Sequence, residues 1–114
     1  MMISSCTKSQ DLTCTDFKIG TFKAEGINYK LPTTNVSRSE KTQKESADGL
    51  ATLEATIEWK SECNYELIYV NGSPDMKGQK VSVEILKIEG QKAICTATVE
   101  GMPGINLNFE MEKQ

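Results

Sequence analysis

The sequence predicts an all-β domain: an antiparallel up-and-down meander of about eight strands closed into a small barrel or half-open barrel, with a β-sandwich as the alternative. Three observations carry that reading. Apolar and polar residues alternate with a period of two along most of the chain, and turn signals recur about every ten residues. No comparable segment carries a convincing helical stripe. Successive hairpins give up-and-down order without long crossover connections, which favours the barrel over the sandwich.

The first strand is expected over 17–24, where Gly20 inside Phe17-x-x-Gly20-x-Phe22 permits a bend or a close backbone contact. Phe17 and Phe22 fall on opposite phases, one for the interior and the other to close an end. Short strands follow at 27–31 and 34–38, then a polar one at 40–46. The run Lys41 to Glu45 is polar and carries charges of both signs, as a solvated edge that discourages strand-to-strand aggregation does. Ser39 to Asp48 is the only contender for a helix, and its polarity suits an exposed edge strand equally well. Ala47-Asp48-Gly49 turns the chain into a strand over 52–60, where Leu53, Ala55, Ile57 and Trp59 alternate with polar neighbours. Trp59 is expected in the core, plugging one barrel end.

The strand over 63–71 is apolar on both phases, with Tyr65, Leu67 and Tyr69 on one and Ile68 and Val70 on the other. Such a strand lies under a covering segment or presents a patch to a partner. Asn71-Gly72-Ser73-Pro74-Asp75 opens a loop ending near Lys77-Gly78. Over 79–88 the alternation of Val81, Val83 and Ile85 slips, because Leu86 and Ile88 are apolar on the other phase. A bulge, or a strand passing between two packing surfaces, explains such a slip. Glu89-Gly90-Gln91 makes a tight turn into 91–100. Gly101-Met102-Pro103-Gly104 then leads into 105–112, with Ile105, Leu107, Phe109 and Met111 facing inward.

Charge and residue usage exclude several functions. The 114 residues hold 13 basic and 16 acidic side chains, a net of −3, and so lack the concentrated basic face that nucleic acid requires. Histidine is absent, which removes serine–histidine and cysteine–histidine catalysis and histidine metal sites. Glu54, Glu58, Glu66, Glu84, Glu110 and Glu112 lie on outward phases, where charges are solvated. Asp48-Gly49 and Asn71-Gly72 would need more oxygen ligands to be calcium loops; Ser73 and Asp75 supply some, but the spacing fits no known loop pattern. The expectation is therefore a protein that is not an enzyme, with no catalytic residue, metal or cofactor.

The N-terminus and the cysteines bear on location. Ile3-Ser4-Ser5-Cys6 has the aliphatic–small–small–cysteine form cut by a lipoprotein signal peptidase, with Cys6 as the acylated residue and the link to a membrane. No Lys or Arg precedes Cys6, so residues 1–13 read as a truncated signal remnant and a flexible tether, and 14–114 as a single β-barrel domain. The expected location is the periplasmic face of the cell envelope, or the cytoplasm if the N-terminus is complete as given. In an exported protein, Cys14 with Cys63 is the favoured disulfide, since both stand at strand starts, and Cys95 is then a buried free thiol. The other pairings, and a fully reduced chain, stay open.

Cys14-Thr15-Asp16-Phe17-Lys18-Ile19-Gly20-Thr21-Phe22, then Trp59-Lys60-Ser61-Glu62-Cys63-Asn64-Tyr65 and Gly78 to Ile85, resemble a group of small secreted β-rich lipoproteins of Bacteroidota. That group has no assigned activity, and some members are misnamed as topoisomerases. The resemblance spans roughly residues 14 to 112 and implies an exported protein with no catalytic residue to carry over. The functional expectation is a binding module whose lipocalin-like barrel holds a small hydrophobic ligand, with Phe22, Trp59, Leu67 and Phe109 as the ligand-binding candidates. A cell-envelope interaction or inhibitor module, working through the loop Asn71 to Gly78, and a structural envelope protein are the alternatives.

Overall fold

The computed structural model describes residues 11–114. Eight strands run in order around a closed barrel: β1 (Gly20–Gly26), β2 (Thr34–Arg38), β3 (Thr42–Ser46), β4 (Leu53–Ser61), β5 (Asn64–Tyr69), β6 (Lys80–Glu89), β7 (Lys92–Val99) and β8 (Leu107–Lys113). Each pairs antiparallel with the next, and β8 returns to β1 with Ala24 opposite Met111. The expected meander barrel is what forms, closed rather than half-open, and not a sandwich.

Closure follows from the period-two pattern. Phe22 lies opposite Val36, Ala55 opposite Tyr69, Leu67 opposite Val81, Val83 opposite Ala97 and Cys95 opposite Phe109. Each register therefore sets apolar residues of one phase side by side on the inner wall. The slip predicted in β6 is a bulge: Ile85 pairs with Cys95 and Lys87 with Ile94. The extra residue, Leu86, is 55% exposed. Past it the phase is reset, and Ile88 packs against the core.

Two segments differ from the sequence expectation. Residues 27–31 form a loop and not a strand. Asn28 ties that loop to the start of β8, its Oδ1 accepting from the Asn108 N–H (2.8 Å) and its Nδ2 donating to the Asn106 carbonyl (3.0 Å). The backbone folds back so closely that a Cβ on Gly26 would collide with the Tyr29 carbonyl. Upstream, Cys14–Phe17 is a 3-10 turn, with the Asp16 carboxylate accepting from the Thr13 N–H at 2.8 Å. Gly20 makes the expected bend at φ 133°, a conformation that L side chains avoid.

The two ends of the barrel are unlike. The turns 39–41, 62–63 and 90–91 are short and meet at the end closed by the 3-10 turn. The connections 27–33, 47–52, 70–79 and 100–106 are longer and surround the opposite mouth. At the closed end Phe17 is fully buried and stacks on Phe22, with centroids 5.5 Å apart. Trp59 packs on Tyr65 at 4.7 Å. The disulfide Cys14–Cys63 fastens the 3-10 turn to the β4–β5 turn, with Cα atoms 5.3 Å apart. Cys95 is a buried free thiol, and burial pushes it up to about 12. Residues 11–13 are also held against this end: the Leu12 N–H donates to the Gly90 carbonyl (2.9 Å), and Asp11 Oδ1 accepts from the Gly90 N–H (2.9 Å).

Candidate functional site

Between the plug and the mouth the barrel encloses a cavity of about 350 Å³. This lies at the small end of the range of ligand pockets, roughly 300–1,000 Å³. Its wall is mostly apolar, with Leu67, Val83, Ala97 and Phe109 on the strands and Leu31, Met76 and Met102 at the mouth. The mouth residues come from loops held over the opening. Gly72, at φ 108°, lets the 70–79 loop close on itself, since a Cβ there would stand 3.0 Å from Leu53 Cδ2 and 3.1 Å from Met76 Cβ. Asn71 Oδ1 accepts from the Glu54 N–H at 2.8 Å and pins the base of the same loop.

Polar groups enter the wall along β3. In a closed barrel β3 has no free edge, and its register with β2 and β4 turns Gln43 and Glu45 inward, against the expectation of a solvated edge strand for Lys41 to Glu45. Gln43 is fully enclosed and Glu45 half-buried. Arg38 Nε donates to Gln43 Oε1 (2.7 Å), and Gln43 Nε2 donates to Glu45 Oε2 (2.6 Å). The Tyr69 hydroxyl donates to the same Glu45 Oε2 at 2.6 Å. A buried cation and a wall carboxylate are thus joined through one amide, which gives each a charge-assisted partner.

Arg38 belongs to the floor. It is 4% exposed. Its Nη1 donates to the Phe17 carbonyl (2.8 Å) and its Nη2 to the Tyr65 hydroxyl (2.5 Å), and its guanidinium lies 4.4 Å from the Tyr65 ring centroid. Burial pushes Tyr65 up to about 12 despite this cation. Burial also raises Tyr69 above its ordinary value, and the Glu45 charge adds to the rise. Tyr29, at the mouth, is raised by the same two causes. The ion pairs among the described residues (Lys60 with Glu58 and Glu66, Lys80 with Glu66, Lys87 with Glu89, Lys92 with Glu110) involve neither Arg38 nor Glu45.

Of the residues singled out from sequence, Leu67 and Phe109 stand on the cavity wall. Phe22 and Trp59 stand in the plug instead, around Arg38, at 5.4 Å and 5.9 Å from its guanidinium. Cys6 lies outside the described residues. Met76 of the proposed partner loop turns into the cavity. Sequence reasoning missed Tyr29, Gln43, Glu45 and Tyr69 as wall groups. The signal for Gln43 and Glu45 was the alternation of β3 itself, which puts both on one face. Among the described residues no group of three or more acidic or cysteine side chains is placed to hold a metal. No helix there is long and apolar enough to cross a membrane.

Compared with protein-family models, curated proteins and solved structures, the chain gives no match.

Proposed function

We propose that this chain is a non-enzymatic binding module that holds a small hydrophobic molecule inside its barrel. The observation that carries the reading is the cavity of about 350 Å³, walled by apolar side chains and open past the Tyr29 and Met76 loops. A core with no such role is packed without space of this size, because voids forfeit dispersion contacts and solvation gain. The module acts outside the cytoplasm, held to a membrane through an acylated Cys6. The Cys14–Cys63 disulfide supports an oxidising compartment, as does the resemblance of the Cys14-to-Phe22 and Trp59-to-Tyr65 motifs to secreted proteins.

Calorimetric titration with decanol tests the binding reading. Ala97→Phe places a ring where the wall now leaves space, and we expect it to weaken decanol binding by about tenfold or more, the cost of roughly 1.4 kcal/mol of lost burial. Equal affinity in the folded variant and the parent chain, or no binding by the parent, overturns the reading.

A further inference from the structure

The cavity carries one charged wall group, and its placement selects a class of ligand. Among the lining residues only Glu45 is ionisable as an acid or a base outside the tyrosines. Its Oε2 accepts both protein donors, Tyr69 Oη–H and Gln43 Nε2–H, each at 2.6 Å. Among the described residues no donor reaches Oε1. The carboxylate is therefore held in position by two bonds on one oxygen while the other keeps its acceptor capacity. Arg38 does not offset this charge for a ligand. Each of its three nitrogens donates to a protein acceptor, on Gln43, Phe17 and Tyr65, and it is not part of the cavity wall.

We infer that the ligand is a hydrophobic amine, bound with its ammonium on Glu45 and its apolar body along Leu67, Val83, Ala97 and Phe109. The inference rests on the binding reading above and narrows it to a substrate class. An ammonium gives Glu45 Oε1 the donor it lacks, in a mostly apolar wall where a charge-assisted bond is strong. Tyr29 and Tyr69, which both feel the Glu45 charge, add aromatic rings of the kind that favour cations. A fatty carboxylate of the same shape meets a like charge and finds no free cation among the described wall residues. A neutral alcohol fills the same volume and can donate its O–H to Oε1, but brings no opposite charge.

Three probes of one chain length separate these cases: decylamine, decanol and decanoate, titrated into the parent chain and into Glu45→Gln. The glutamine keeps an acceptor for Tyr69 and Gln43, and circular dichroism of the variant checks its fold. We expect the parent chain to bind decylamine about tenfold or more tighter than decanol, and decanoate weakest, as replacing an ion pair by a neutral donor implies. Glu45→Gln should bring decylamine to within about threefold of decanol. If the parent chain binds decanol but shows no preference for decylamine, the amine assignment fails and the binding reading stands. The amine assignment fails equally if the preference survives in Glu45→Gln. If none of the three binds, both fail together.

Discussion

Arg38 is the residue on which the two halves of the interior depend. An arginine inside an apolar barrel is costly unless its nitrogens find acceptors. Here the acceptors are the Phe17 carbonyl in the plug, the Tyr65 hydroxyl on β5 and the Gln43 amide on β3. The buried hydroxyl of Tyr65 and the thiol of Cys95 share this floor, and their shifts set a pH limit. A group whose folded pKa lies above its unfolded value stabilises the fold fully below the unfolded pKa, and that contribution is lost as pH rises through the folded one. Tyr65 moves from 10.0 to about 12 and Cys95 from 9.0 to about 12. Stability should therefore hold up to about pH 9 and fall between about pH 9 and 12. Urea denaturation across that range, read alongside tyrosinate absorbance, checks it. A flat profile would remove the proposed cost of ionising the floor.

Gly20 makes a second prediction at this scale. It sits at φ 133°, and a Cβ there would stand 2.7 Å from Lys113 Nζ. Lys113 Nζ in turn donates to the Asp16 and Ile19 carbonyls, so alanine both strains the backbone and displaces this clasp. Gly20→Ala should cost about 1–3 kcal/mol in chemical denaturation.

At the scale of the element, the strands were largely legible and the loops were not. Alternation located the inner faces of β4, β6 and β8, and even the bulge at Leu86 announced itself through the phase slip at Ile85. The Phe17-to-Ile19 stretch and residues 27–31 read as strands because short apolar runs satisfy a period of two by accident. What decides them is long-range: the disulfide and Arg38 hold the 3-10 turn, and Asn28 holds the loop. β3 shows the same limit for the site. Its alternation was visible, but only closure of the barrel says that Gln43 and Glu45 face in rather than out. The 3-10 turn supplies this scale's prediction. Cys14 and Cys63 close a separation of 49 residues, and reducing that bond should destabilise the fold by about 2–4 kcal/mol. Thermal unfolding with and without reductant measures it, and an unchanged midpoint would show the plug to be held by packing alone.

For the whole molecule, the barrel and a ligand inside it were expected, but the size of the hollow was not legible. A sequence gives the phase of each strand but not the volume left when the inner phases meet. That volume depends on small side chains such as Ala24 and Ala97 on the wall of the bore. The ligand candidates were divided for this reason. Aromatic residues drew attention by size, yet Phe22 and Trp59 fill the floor, while Phe109 shares the wall with smaller residues such as Leu67 and Ala97. A ligand that occupies the space stabilises the folded state by mass action, so an amine of the proposed class should raise the unfolding midpoint as its concentration rises.

The even number of strands has a directional consequence. An up-and-down barrel of eight strands starts and finishes at the same end, and here that end is the plug: Leu12 bonds to the Gly90 turn and Gln114 to Thr21. The chain between Cys6 and Asp11 can reach no further than about 18 Å even fully extended, much less than the length of a strand such as β6 with its 10 residues. If the proposed acyl anchor at Cys6 is present, the sealed base is the end nearer the bilayer and the mouth the farther one, so the proposed ligand would enter from the side away from the lipid.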